Sequence, residues 1–256
     1  MDPNVSEWLN LVFRWIHVLA GVMWIGHLWF FNFVNAQLAK TYSPESKKAV
    51  LPELMPRALY FFRWGAAYTW ISGLLLFGIV YAMGGAMASS LGVWGATGAI
   101  IVSWVVAFAI YDVLWKSMKD ENVGGIVSFV LLAAVAFGLS RIVEGRTLYI
   151  AVGGLLGSIM AANVWMRIWP NQRKIIAGVK GTSPAPGPEV AAQAGLRSKH
   201  NTYLSMPLMF LMVSNHFPTV YGNQWNWILL MGFVAVGFAI AKFLYNKSGT
   251  PAPAQF

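Results

Sequence analysis

The chain has 256 residues, 57% of them hydrophobic and only 11% charged, with a mean hydropathy of +0.58. A soluble domain carries about a quarter charged residues, so this composition excludes one and describes a polytopic membrane protein. The lack of cysteine excludes disulfides, iron–sulfur clusters, thiolate catalysis and covalent c-type haem.

The N-terminus holds Asp2 and Glu7 and no Lys or Arg before Arg14. It lacks the basic region of a secretory signal, so residues 7–37 read as a retained first helix that starts outside. The connection that follows carries Lys40, Lys47, Lys48, Arg57 and Arg63, with Pro52 and Pro56 expected to break it. A second helix is predicted over 59–83, ending in the uncharged turn Gly84-Gly85-Ala86-Met87. A third over 91–115 precedes Lys116 and Lys119, and a fourth covers 124–139. The fifth, 148–169, is expected to stop at Pro170, because proline cannot continue a helix interior.

Residues 171–199 read as a cytoplasmic loop, mobile around Ser183-Pro184-Ala185-Pro186-Gly187-Pro188. The sixth helix is placed at 200–217 and the seventh at 225–245. The organisation expected is one helical domain over 1–246, then a short disordered tail over 247–256. The fold class is therefore all-α, a transmembrane bundle of about seven helices with its N-terminus outside and C-terminus cytoplasmic. Of the 18 Lys and Arg, all but Arg14, Arg141 and Arg146 fall on the side that this topology makes cytoplasmic. The net charge of +9 thus follows the positive-inside bias and implies a lipid bilayer partner and no nucleic acid. No internal repeat is visible, which removes support for an inverted-repeat transporter. Gly153, Gly157 and the Gly92, Gly95, Gly98 series read as close helix packing.

All four histidines lie in two stretches, His17 and His27 in the first helix and His200 and His216 in the sixth. Ligating side chains in an apolar span are costly and are functional candidates by default. In antiparallel helices, His17 and His216 would share an outer layer and His27 and His200 an inner one. Two imidazoles facing each other suit six-coordinate haem b, one haem in the outer layer and a second, less securely, in the inner. The helical angles strain this arrangement, since His17 and His27 are roughly 80° apart and His200 and His216 roughly 160°. The alternative is that these histidines hydrogen-bond to neighbouring helices or interfacial water. A metal held by His17 and His216 lacks nearby carboxylates to complete it. Arg14, one turn from His17, either pairs with a haem propionate or an anionic substrate, or snorkels to the headgroups. Arg63 and Asp112 are candidates for an ion pair.

Phe13-Arg14-Trp15-Ile16-His17 with Trp24-Ile25-Gly26, Pro56-Arg57-Ala58-Leu59 and Phe62-Arg63-Trp64-Gly65-Ala66 resemble the integral-membrane part of the bacterial membrane urate hydroxylase family. Ile168-Trp169-Pro170-Asn171-Gln172-Arg173 and the stretch from Asn201 through Pro207 to His216 extend the likeness over essentially the whole chain. The first helix is also loosely similar to haem-associated protoporphyrinogen oxidase and copper-resistance membrane families. The resemblance implies an oxidoreductase of the bacterial inner membrane that converts urate, or another small oxidisable substrate, to a hydroxylated product. It implies electrons leaving through a cytochrome c domain. This sequence has no cysteine for that covalent haem, so a separate c-type cytochrome or respiratory subunit is expected to supply it, or the activity is lost or altered. The competing expectation is a non-catalytic anchor or electron-transfer subunit of a larger respiratory complex.

Overall fold

Three helices of the protein run longer than the bilayer requires, and each changes pitch on the way. A computed structural model describes residues 2–250. Helix α1, Pro3–Leu38, passes through a π-helical turn at Phe30–Asn35. Helix α2, Pro44–Ala82, closes on another at Phe77–Ala82, and α5, Gly145–Lys180, contains a third at Val164–Ile168. The remaining long helices are α3, Gly92–Ser117; α4, Glu121–Ser140; α6, Pro188–Val213; and α7, Asn226–Ser248. Among the described residues there is no strand, only an isolated bridge between Ser89 and Val143. Six of the seven, all but α6, are long and apolar enough to cross a membrane. Helix α6 fails on composition, because its first half carries Glu189, Gln193, Arg197, Lys199 and Asn201. The architecture is an all-α polytopic membrane protein.

The proline expectations need correction. Pro52 and Pro56 lie inside α2, which runs unbroken from Pro44. Each removes one N–H, but the carbonyls they release, on Lys48 and Pro52, belong to exposed or half-buried residues, where an unmet acceptor costs less than in the core. Pro170 does not end α5 either. The π turn just before it shifts the hydrogen-bond register, Trp169 N–H reaching Val164 O, so Pro170 enters as the first turn of a renewed helix. The polar segment 171–199 is consequently mostly helical. Only 181–187 connects α5 to α6, starting from Gly181 in the left-handed conformation at φ 74°. His216 lies beyond α6, in a single 3-10 turn Ser214–His216. Of the expected tail, residues 251–256 lie outside the described residues.

The chain forms two compact units, each assembled from pieces of several helices. The first contains residues 2–14, 72–159 and 207–236. Its core is apolar: Leu148, Val152, Leu155 and Leu156 of α5 are fully buried with Ile100 of α3 and Leu211 of α6. Trp104 Nε1 donates to the Ala151 carbonyl at 2.8 Å, and its ring lies where a side chain on Gly154 would be. Gly153 meets Leu211 and Met212 in the same way, which bears out the packing reading of that glycine.

The second unit contains residues 15–71, 160–206 and 237–250. Gly65 of α2 presses on the backbone of α1, where an added Cβ would lie 3.1 Å from Trp24 N and 3.2 Å from Ala20 O. Phe31 packs edge-on against Phe62 beside it. This unit is polar inside. Asn163 Nδ2 donates to Asn201 Oδ1 and Asn201 Nδ2 to the Met160 carbonyl, both at 2.9 Å. Asn32 Nδ2 donates to Ser198 Oγ, while the Tyr245 hydroxyl donates to Asn32 Oδ1. Trp29 Nε1 donates to Ser205 Oγ. Buried amides in an apolar medium must find such partners, and these bonds join α1, α5, α6 and α7 within the unit.

Candidate functional site

In the first unit three segments far apart in sequence converge on one buried phenol. Tyr81 sits in the π turn that ends α2 and is 6% exposed. Its hydroxyl donates to Asn215 Oδ1 at 2.7 Å, and Arg146 Nε, from the first turn of α5, donates to the same oxygen at 3.3 Å. Since Arg146 can only donate, these two bonds fix which end of the Asn215 amide is oxygen. The other end, Nδ2, is left buried without an acceptor. The Arg146 guanidinium also lies 6.0 Å from the Tyr81 ring centroid. Arg14 acts electrostatically on the same hydroxyl from α1, where its Nη2 donates to Asn10 Oδ1 at 3.1 Å. Among the described residues neither arginine is paired with a carboxylate. Arg146 further lines a cleft of about 790 Å³ with Arg141, Glu144, Tyr221, Asn223 and Asn226. His216 follows Asn215 directly and is exposed.

The other three histidines belong to the second unit. His17 is half-buried, and seven- and eleven-residue spacings put it on the α1 face that carries Trp24 and Leu28, both buried. His27 is half-buried, its ring stacked against Phe61 at 6.0 Å and tilted against Phe31 at 6.3 Å. Its Nδ1 lies 2.7 Å from the Met23 carbonyl. A carbonyl only accepts, so Nδ1 carries the proton and the lone pair of the neutral ring falls on Nε2. His200 is half-buried on α6, with Arg197 and Lys199 in electrostatic range. Among the described residues no three His, Asp or Glu side chains gather as a metal site, so a multi-ligand centre is absent there. A haem needs fewer protein ligands, and the residues suit it. His27 offers Nε2 backed by a carbonyl-bonded Nδ1, and Trp24 Nε1 and Arg63 Nε are buried donors without acceptors in the same unit.

The Arg63 guanidinium lies 4.0 Å above the Trp169 ring, and Asp112 pairs with Lys116 at 2.7 Å. Sequence reasoning found Arg14 but missed Tyr81, Asn215 and Arg146 as a group. The available signal was charge: Arg146 is one of three cations that break the one-sided placement of Lys and Arg.

The fold and these clusters define a multi-pass membrane protein with histidine-bearing helices and a predominantly cationic polar site in its first unit. The model of the urate oxidase N-terminal family matches residues 3–49 and 41–254, and the chain belongs to that family. Neither a curated protein nor a solved structure matches it.

Proposed function

We propose that the protein is a membrane oxidoreductase of the urate-hydroxylase type, carried by the family match over nearly the whole chain. The reaction is urate plus water giving 5-hydroxyisourate, two protons and two electrons. The oxidant is two equivalents of a ferric c-type cytochrome, or of another one-electron respiratory partner, in the bacterial inner membrane. Haem b bound to this chain supplies a one-electron relay between substrate and that partner. His17, His27, His200 and His216 are the candidate iron ligands, the only imidazoles in the sequence. What supports the assignment at His27 is the Nδ1 bond to Met23, which presents Nε2 for ligation. The buried donors of Trp24 and Arg63 suit the propionates of such a group.

The test is spectroscopic and kinetic on the purified full chain. A b-type reduced-minus-oxidised spectrum, extractable haem and urate-dependent reduction of added ferric cytochrome c are the expected results. Haem without urate-dependent reduction would transfer the protein to the electron-transfer or anchor class. No haem after expression with ample haem supply would remove the oxidoreductase reading.

A further inference from the structure

We propose that Arg146, Asn215 and Arg14, gathered at Tyr81, form the recognition site for the negative charge of a small planar substrate anion. The inference rests on the oxidoreductase reading for its choice of anion, since urate carries one negative charge at neutral pH. The site itself stands on geometry. Asn215 spends its oxygen on Tyr81 and Arg146, leaving Nδ2 as a buried donor with no acceptor. An unmet buried donor is costly and calls for an explanation. The Arg146 guanidinium lies 6.0 Å from the Tyr81 ring, Arg14 adds a second positive charge from α1, and neither has a carboxylate partner among the described residues. The groups left over at Asn215 and Arg146 are donors, and two arginines against the single Glu144 leave the adjoining cleft net positive, so the complement is an anion that accepts several hydrogen bonds. Tyr81 and Asn215 hold the guanidinium of Arg146 in place, which lowers the entropy lost on binding. Side chains must shift slightly to open Nδ2 to a ligand, because that atom is now covered.

The same chemistry would suit a haem propionate, and the experiment separates the two sources. Equilibrium binding of radiolabelled urate to the full chain in lipid nanodiscs is measured alongside haem content and thermal unfolding. The wild type should bind urate saturably, and uncharged hypoxanthine should compete poorly. Asn215→Asp keeps the shape and gives Arg146 and Tyr81 a stronger acceptor while deleting the Nδ2 donor. It should unfold no earlier than wild type and bind urate about 10- to 100-fold more weakly. Arg146→Ala and Arg14→Ala should weaken binding similarly at unchanged haem content, whereas Lys119→Ala, an equal loss of charge at an exposed position outside the cleft lining, should not. Urate binding that survives Asn215→Asp and Arg146→Ala overturns the site while leaving the oxidoreductase reading intact. Loss of haem with urate binding retained assigns the cluster to a propionate and also overturns it. A folded, haem-loaded wild type that binds no urate overturns the substrate reading and this site together.

Discussion

The guanidinium of Arg63 lies 4.0 Å from the ring centroid of Trp169, joining α2 to the renewed part of α5. Two sequence motifs thereby meet, Phe62-Arg63-Trp64-Gly65-Ala66 and Ile168-Trp169-Pro170. A partly desolvated cation over an indole contributes about 0.5–2 kcal/mol. Arg63→Leu and Trp169→Leu should each lower thermal stability, and the double variant should lose less than the sum. A coupling energy near zero in that double-mutant cycle would show that the contact contributes nothing.

His27 separates ligation from packing. If its Nε2 binds iron, His27→Ala should abolish or shift a b-type absorbance band, and His27→Gln should do the same although it can still donate to the Met23 carbonyl. Difference spectra of the two purified variants against wild type are the measurement. An unaltered spectrum in both removes His27 from the ligand set.

Gly154 and Trp104 make a steric prediction in the first unit. The indole is pinned by its bond to the Ala151 carbonyl, so a methyl at 154 cannot be accommodated by a small rotation. Gly154→Ala should destabilise by about 1–3 kcal/mol, typical of overpacking. Adding Trp104→Leu should recover part of the loss, read as the unfolding midpoint in detergent.

Asn201 tests the polar interior of the second unit. It accepts from Asn163 and donates to the Met160 carbonyl while fully buried. Asn201→Leu should cost about 1–3 kcal/mol by removing the acceptor of a buried amide. Asn163→Leu combined with Asn201→Leu should cost less than the single change, because it removes both polar partners. Chemical denaturation in a mild detergent would decide.

The spans were legible in the sequence because transfer of a helix into a bilayer depends on local composition. About twenty apolar residues in a row, as in α4 and α7, suffice whatever else the chain does. The histidines and Arg14 stood out for the same reason, as polar groups that a span tolerates only for cause. Helix ends were less legible. Pro170 read as a stop because the cost of a missing N–H is local, whereas its relief, the π turn at Val164–Ile168, is a choice among competing hydrogen-bond registers. The α6 start at Pro188 was hidden similarly, its polar residues 188–199 resembling a loop although Ser198 finds a partner in Asn32 of α1.

The cluster at Tyr81 was decided by tertiary structure alone. Tyr81, Arg146 and Asn215 are separated by more than sixty residues at each step and share no periodicity. Composition could mark Arg146 as a cation out of place, but a hydrogen-bond partner is fixed by where backbones pass, and only packing brings these three together. Burial is additive along the chain and can be read from it. Pairing is not additive, and it had to be seen.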